Sequence, residues 1–258
     1  MLWQQFQIQQ RVIGALMIRE VVTLYGRSSL GPGWLIVEPL TFALPVLVLW
    51  HFVRAPFEHG LPLMPMLWSG YMPILLFRHI GGRMLHLIRH NAQLMYHRKV
   101  TVIDIAIARC GIEIIQNYAA TIFLFILFHF LGLLDVPHNF PMLILGYLFM
   151  TWWCVAAGLI LAGLSERTEW VEKIWQPYSY TYMFFSGFFF MADWLPANLR
   201  QVALLQPSLQ AYEMLRAGLL GNTIKTHYDI PYTCFVLGSL TLLGLWTLRD
   251  SRRFVGLA

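Results

Sequence analysis

The chain has 258 residues, of which 58% are hydrophobic and 12% charged, with a mean hydropathy of +0.58. A soluble domain carries about 25% charged residues, so these numbers exclude an ordinary water-soluble globule and point to a surface that largely faces lipid. The net charge of +5 is spread along the segments that link apolar runs, which argues against nucleic acid as a partner.

A helix needs about 20 apolar residues to cross a bilayer, and six segments meet or approach that. Residues 1–30 precede them and read as an amphipathic helix lying in the membrane interface, with apolar Val12, Leu16 and Val22 interleaved with Arg11 and Arg19. Gly31-Pro32-Gly33 then breaks the chain. Glycine relaxes the backbone and proline suits a first helical turn, so the motif predicts a hinge from lying on the membrane to crossing it. The predicted spans are 33–53, 61–80, 110–134, 140–164, 174–192 and 230–248. Backbone groups in hydrocarbon must be satisfied within their own segment, so these are helices. Residues 194–220 are apolar but divided by Pro196 and Pro207. They predict two short helices that re-enter the outer leaflet or lie on it. With no internal repeat and no low-complexity linker, residues 1–258 read as one all-α integral membrane domain.

Orientation follows from Lys and Arg in the connecting segments. The N-terminal segment carries Arg11, Arg19 and Arg27, the loop 78–109 carries Arg78, Arg83, Arg89, Arg98, Lys99 and Arg109, and the tail carries Arg249, Arg252 and Arg253. The intervening loops lack such an excess. Both termini are therefore expected on the cytoplasmic side of a multi-pass protein. The segment 165–173, with Glu166, Glu169 and Glu172, runs against this pattern. The start of the chain, MLWQQFQIQQR, has no short apolar core ending in a small-residue cleavage site, so no signal peptide is expected.

Few catalytic motifs survive inspection. No GxxxxGK[ST] phosphate loop, HExxH or GxSxG occurs, so the chain is not expected to hydrolyse ATP. Cys110, Cys154 and Cys234 are scattered in apolar stretches, which is neither a disulfide framework nor a metal spacing. His79, His86, His90 and His97 fall near one helical face, and His86 and His90 have metal-ligand spacing. Interleaved Arg83 and Arg89 favour a solvated interfacial face, and no metal is expected. The run from Trp175 to Trp194 is densely aromatic. It reads either as an interfacial aromatic belt or as a surface for a sliding polymer, since aromatic rings suit the C–H faces of sugars. Arg89 to Arg109 is the most charged stretch. It is either a solvated loop or a docking element for a soluble partner.

These pieces together resemble the membrane subunit of polysaccharide-exporting ABC transporters. The closest likeness is to the capsule export permeases (KpsM-like), with the O-antigen permeases (Wzm-like) related. The likeness is carried by Leu16, Arg19, Glu20, Tyr25, Gly26, Leu30, Gly31, Trp34, Glu38 and Pro39; then by Ile103-Asp104, Ala108-Arg109 and Glu113; and last by Ser186-Gly187, Leu195-Pro196, Pro207, Glu213 and Arg216. The chain departs from the pattern at Lys99, Val102 and Met191, where prolines are usual, and at Gln206, where asparagine is usual.

The resemblance implies an inner-membrane permease that forms a homodimer around a channel. ATP and Mg would be bound and hydrolysed on a separate cytoplasmic nucleotide-binding subunit. The cargo would be a lipid-linked capsular polysaccharide, handed to a periplasmic co-polymerase-type adaptor and an outer-membrane export protein. The resemblance places ATPase docking at Tyr96, His97, Arg98, Lys99, Asp104 and Arg109. It places the N-terminal interface and gate at Arg19, Glu20, Arg27, Trp34 and Glu38, with Glu38 near-interfacial or paired with Arg19 or Arg27. The expected translocation path comprises Arg78, Arg83, Arg89, Tyr178, Tyr180, Tyr182, Phe184 and Phe188. Three other readings stay open: an ABC permease for O-antigen or another cargo, a membrane enzyme using His86 and His90, and a channel or secondary carrier.

Overall fold

The computed structural model describes residues 2–26, 31–53, 57–58, 60–95, 100–221 and 224–251. Eleven helices account for most of them: α1 (Leu2–Tyr25), α2 (Trp34–Val53), α3 (Leu63–Met84), α4 (Leu87–His90), α5 (Ala92–Met95), α6 (Val102–Phe130), α7 (Phe140–Ser165), α8 (Trp170–Phe185), α9 (Ala197–Ala203), α10 (Pro207–Leu220) and α11 (Ile230–Ser251). A two-residue antiparallel pairing, Phe57–Glu58 with Leu61–Pro62, turns the chain between α2 and α3. The fold is all-α. Three helices, α6, α7 and α11, are long and apolar enough to cross a membrane, and Val37–Val53 is a shorter apolar helix.

Helix α3 is the axis. Every residue from Leu63 to Phe77 is buried, as expected of a helix that is apolar all round, and α2, α6, α7, α8 and α10 pack around it. On α7, Gly146 lets the backbone of Leu215 approach so closely that a Cβ would sit 2.5 Å from its amide nitrogen. Gly218 of α10 does the same against Leu143, at 2.3 Å. The α7–α10 contact is therefore backbone against backbone.

Gly31–Gly33 is a single 3-10 turn that leads into α2. Gly31 has a φ of +51°, a conformation that costs other L-residues roughly 1–2 kcal/mol.

Two predicted spans change their bounds. The third helix starts at Val102 rather than Cys110, because the Thr101 hydroxyl accepts the Asp104 amide while the Asp104 carboxylate accepts the Thr101 amide. This capping box nucleates the helix early. It ends at Phe130, where the chain turns through Gly132 at φ +71°. The fifth helix runs over Trp170–Phe185 rather than 174–192. Its 16 residues reach only about 24 Å, and Gly187 at φ +96° turns the chain back. Residues 194–220 do form two short helices, and they differ. No residue of α9 is buried, whereas all of α10 except Ala217 is. Helix α10 is thus enclosed by protein rather than lying flat on it.

Candidate functional site

At the end of the bundle where α1 lies, charged side chains from four helices meet. Helix α1 packs along the first half of α6. Glu20 accepts an ion pair from Arg109 Nε at 3.3 Å, and Arg83 Nε pairs with Glu113 Oε1 at 3.0 Å. Arg109 Nη1 also donates to the Arg83 carbonyl at 2.8 Å, which joins the two pairs. His79 Nδ1 lies 3.6 Å from Glu113. Beside them the Tyr25 hydroxyl donates to the Glu38 carboxylate, and Gln116 Nε2 donates to the Tyr25 oxygen at 2.8 Å. Burial and the adjoining Glu38 carboxylate push the Tyr25 hydroxyl up to about 12, so it stays protonated and keeps donating at neutral pH. This set explains a carboxylate in an apolar span, since such groups seldom face lipid unpaired. Of the expectations for Glu38, near-interfacial or paired with Arg19 or Arg27, the described residues give it Tyr25 and Gln116 as partners. Arg19 reaches Glu20 at 3.7 Å and donates to Asn91 Oδ1 at 3.2 Å. Arg27 lies outside the described residues.

The next set of contacts fastens α4 to the α7–α8 junction. Helix α3 ends at Met84, with an extended Leu85 after it, and His86 adopts a left-handed φ of 50°. His79, on α3, therefore shares no helical face with His86 and His90, and His97 lies outside the described residues. The His86 amide donates to Ser165 Oγ at 2.9 Å, and its Nε2 lies 3.0 Å from Glu172. Glu166 is buried, and its Oε1 accepts the amides of Ile88 at 2.7 Å and Arg89 at 3.2 Å. Arg89 Nε closes the clasp on Oε2 at 3.3 Å. A cavity of about 370 Å³ opens here between Arg83, His86, His90, Arg109, Glu172 and Gln176. Among the described residues no three His, Cys, Asp or Glu side chains converge as metal ligands, and His86 is already engaged by Glu172.

At the opposite end a second polar set folds the chain back after α8. Arg216 is fully buried and forks to the carbonyls of Phe190 and Phe188, both at 2.7 Å. Glu213 accepts the amides of Ala192 and His227, both at 2.9 Å. The Tyr212 hydroxyl donates to the Gly70 carbonyl at 3.0 Å, tying α10 to the axial helix. Outside this, Arg200 donates to the carbonyls of Ala192, Asp193 and Leu195, and His227 Nε2 meets Asp193 Oδ1 at 3.1 Å. The His227 bond, with Arg200 nearby, holds the Asp193 carboxyl below its ordinary value. Its contribution is therefore full at neutral pH and is lost as acid protonates it below the usual aspartate range.

Helix α8 carries the aromatic run, and the run divides. Tyr178, Tyr180 and Phe184 are exposed, and the Arg78 guanidinium lies 3.9 Å over the Tyr180 ring. Tyr182 and Phe188, expected on the path, are in the core. Tyr182 stacks on Phe77 at 4.5 Å and donates to Ser208 Oγ at 2.8 Å. Phe188 packs against Gly70 and Tyr71.

The structure thus brings Glu20, Arg83, Arg109 and Glu38 into one network and sets Arg78 with Tyr180. Arg89 stands apart from them on Glu166. Asp104 is buried in its cap, where Gln9 of α1 also donates to it, and Arg109 faces inward, so both organise the fold. Trp34 is half-buried at the start of α2. Tyr96, His97, Arg98 and Lys99 lie outside the described residues. Ser165 and Gln116 carry no signal in the sequence, and Glu166 and Glu172 stand out there by charge alone, with no site role. The one signal available was that acidic residues at 165–173 contradict the charge pattern of their neighbours.

Residues 11–220 match the model of the ABC-2 type transporter membrane family. The chain is 34% identical over 241 residues to the capsule polysaccharide export inner-membrane protein CtrC of Neisseria meningitidis serogroup B, covering 93% of this chain and 90% of that one. It is 32% identical over 247 residues to the capsule polysaccharide export inner-membrane protein BexB of Haemophilus influenzae, covering 96% and 93%. It is 25% identical over 253 residues to the polysialic acid transport protein KpsM of Escherichia coli, covering 98% and 93%. With the family match spanning most of the chain and relatives alike over nearly their full lengths, the chain belongs to the ABC-2 type transporter family.

Proposed function

We propose that this chain is the permease subunit of an ABC transporter that exports a lipid-linked capsular polysaccharide across the bacterial inner membrane. The observation that carries the reading is the full-length likeness to CtrC and BexB in a chain that has no phosphate loop of its own. Six spans, formed by α2, α3, α6, α7, α8 and α11, make a multi-pass subunit with both termini in the cytoplasm. Two copies form the channel, and the exposed Tyr180 and Phe184 face of α8, with the half-buried Arg78 of α3 set over the Tyr180 ring, faces the polymer. A separate subunit binds ATP and Mg and docks on residues 96–99. Its movement passes through the Glu166 and Glu172 clasp into α8 and through Glu20–Arg109 into α1. A periplasmic adaptor and an outer-membrane protein receive the chain.

The test is a tagged pull-down from native membranes in mild detergent, with mass spectrometry and an ATPase assay, repeated on Arg98→Glu/Lys99→Glu. The expected result is a stoichiometric ATPase subunit that is reduced at least tenfold in the double variant. Recovery of the chain with no ATPase partner would overturn the reading.

A further inference from the structure

Helix α8 has two aromatic faces, and the second lines a groove. Tyr178, Thr181, Tyr182 and Phe185 recur at i, i+3, i+4 and i+7, so they share one face, turned away from Tyr180 and Phe184. With Trp153 of α7 and Gln206 at the start of α10 they line a groove of about 450 Å³. Tyr178 and Phe185 are exposed along it. Trp153 stacks on Tyr182, with centroids 6.3 Å apart and planes inclined by 26°. Tyr178 sits 5.7 Å from Tyr182. Aromatic side chains thus recur at each helical turn, every 5.4 Å or roughly the rise of one sugar ring along a polymer.

The polar groups distinguish this groove from a lipid-facing crevice. Gln206 Nε2 donates to Tyr182 Oη and to Ser208 Oγ, both at 2.9 Å. Those bonds fix the amide and leave its Oε1 without a bond to the described residues. Thr181 Oγ1 donates to the Pro177 carbonyl at 2.9 Å, so its remaining capacity is to accept. The groove therefore offers aromatic surface together with acceptors that want hydroxyl donors. An acyl chain would cover those acceptors without satisfying them, which is costly. A sugar ring places its C–H face on an aromatic ring and its hydroxyls on the amide.

We propose that the α7–α8 groove is a glycan subsite, holding one or two sugar residues against Tyr178, Trp153 and Phe185, with Gln206 Oε1 and Thr181 Oγ1 accepting from ring hydroxyls. The proposal rests on the polysaccharide cargo read above. It is tested in polymer-producing cells fed a radiolabelled sugar, with photoreactive p-benzoylphenylalanine placed singly at Phe185, at Tyr180 and at Phe235, an exposed position on α11. The expected result is labelled polymer captured at 185, at least tenfold above 235, and reduced about tenfold by adding Gln206→Ala at equal membrane level. Gln206→Asn serves if the alanine variant does not accumulate. Capture of phospholipid alone at 185, with polymer captured at 180, would overturn the subsite while leaving the export reading intact. Polymer captured at none of the three, in cells that export normally, would overturn both.

Discussion

Arg216→Leu is expected to leave almost no folded protein in the membrane. The Arg216 guanidinium is fully enclosed and spends both terminal nitrogens on carbonyls of the segment that turns back after α8. Hydrogen bonds to a charged group contribute about 1.5–3 kcal/mol each, so losing two costs at least about 3 kcal/mol from a total of only about 5–15. Leucine would also strand two buried carbonyls. Arg216→Lys keeps the charge but lacks the planar fork that reaches both acceptors at once, and an intermediate loss is expected. Quantitative immunoblots of membranes, with thermal aggregation in detergent, should show a drop of more than tenfold for Leu and a smaller one for Lys. Arg200→Leu, which removes bonds from a partly exposed guanidinium, should lose less than either. Wild-type level and melting temperature for Arg216→Leu would refute the clamp.

The second large effect is expected at Glu166. Its carboxylate holds the amides of Ile88 and Arg89 and the Arg89 side chain. This fixes the short helix α4 to the end of α7. Leaving the two amides without an acceptor costs about 1–3 kcal/mol for each one that stays buried, and the cost falls on a local attachment rather than on the bundle core. Glu166→Ala should therefore accumulate in membranes within about twofold of wild type, keep its ATPase partner and lose export by at least tenfold. Glu166→Gln retains an acceptor for the two amides and should fall between. Surface polymer, membrane level and co-purified ATPase activity, measured together, check the split. Normal export by Glu166→Ala would show that the clasp does not transmit motion.

The helices themselves were legible because lipid-facing runs need continuous apolar sequence, and the Gly31 hinge was legible because its residue type matches the positive φ found there. Helix ends were less so. Thr101 and Asp104 spell a capping box that the charge of the surrounding loop obscured, and the Phe run concealed that Ser186-Gly187 stops α8. The paired charges were not legible at all. Glu20 and Arg109, or Tyr25 and Gln116, are about ninety residues apart in sequence, and no periodicity within one helix encodes a partner on another. Glu213 and Arg216 entered through resemblance, but their work on backbone groups became visible only once α10 was seen enclosed. The aromatic run reads from sequence as either an interfacial belt or a polymer surface, whereas the helix that carries it presents two faces. One of them is partly core at Tyr182, where hydroxyl partners on Ser208 and Gln206 make burial of a tyrosine favourable.

The most direct test of the central claim is where the polymer goes when this chain is removed. In producing cells depleted of the protein, polysaccharide assayed separately at the cell surface and in the cytoplasm should fall at least tenfold outside and accumulate, still attached to lipid, inside. Restoring the wild-type chain should reverse both. Unchanged surface polymer after depletion would contradict a role in export.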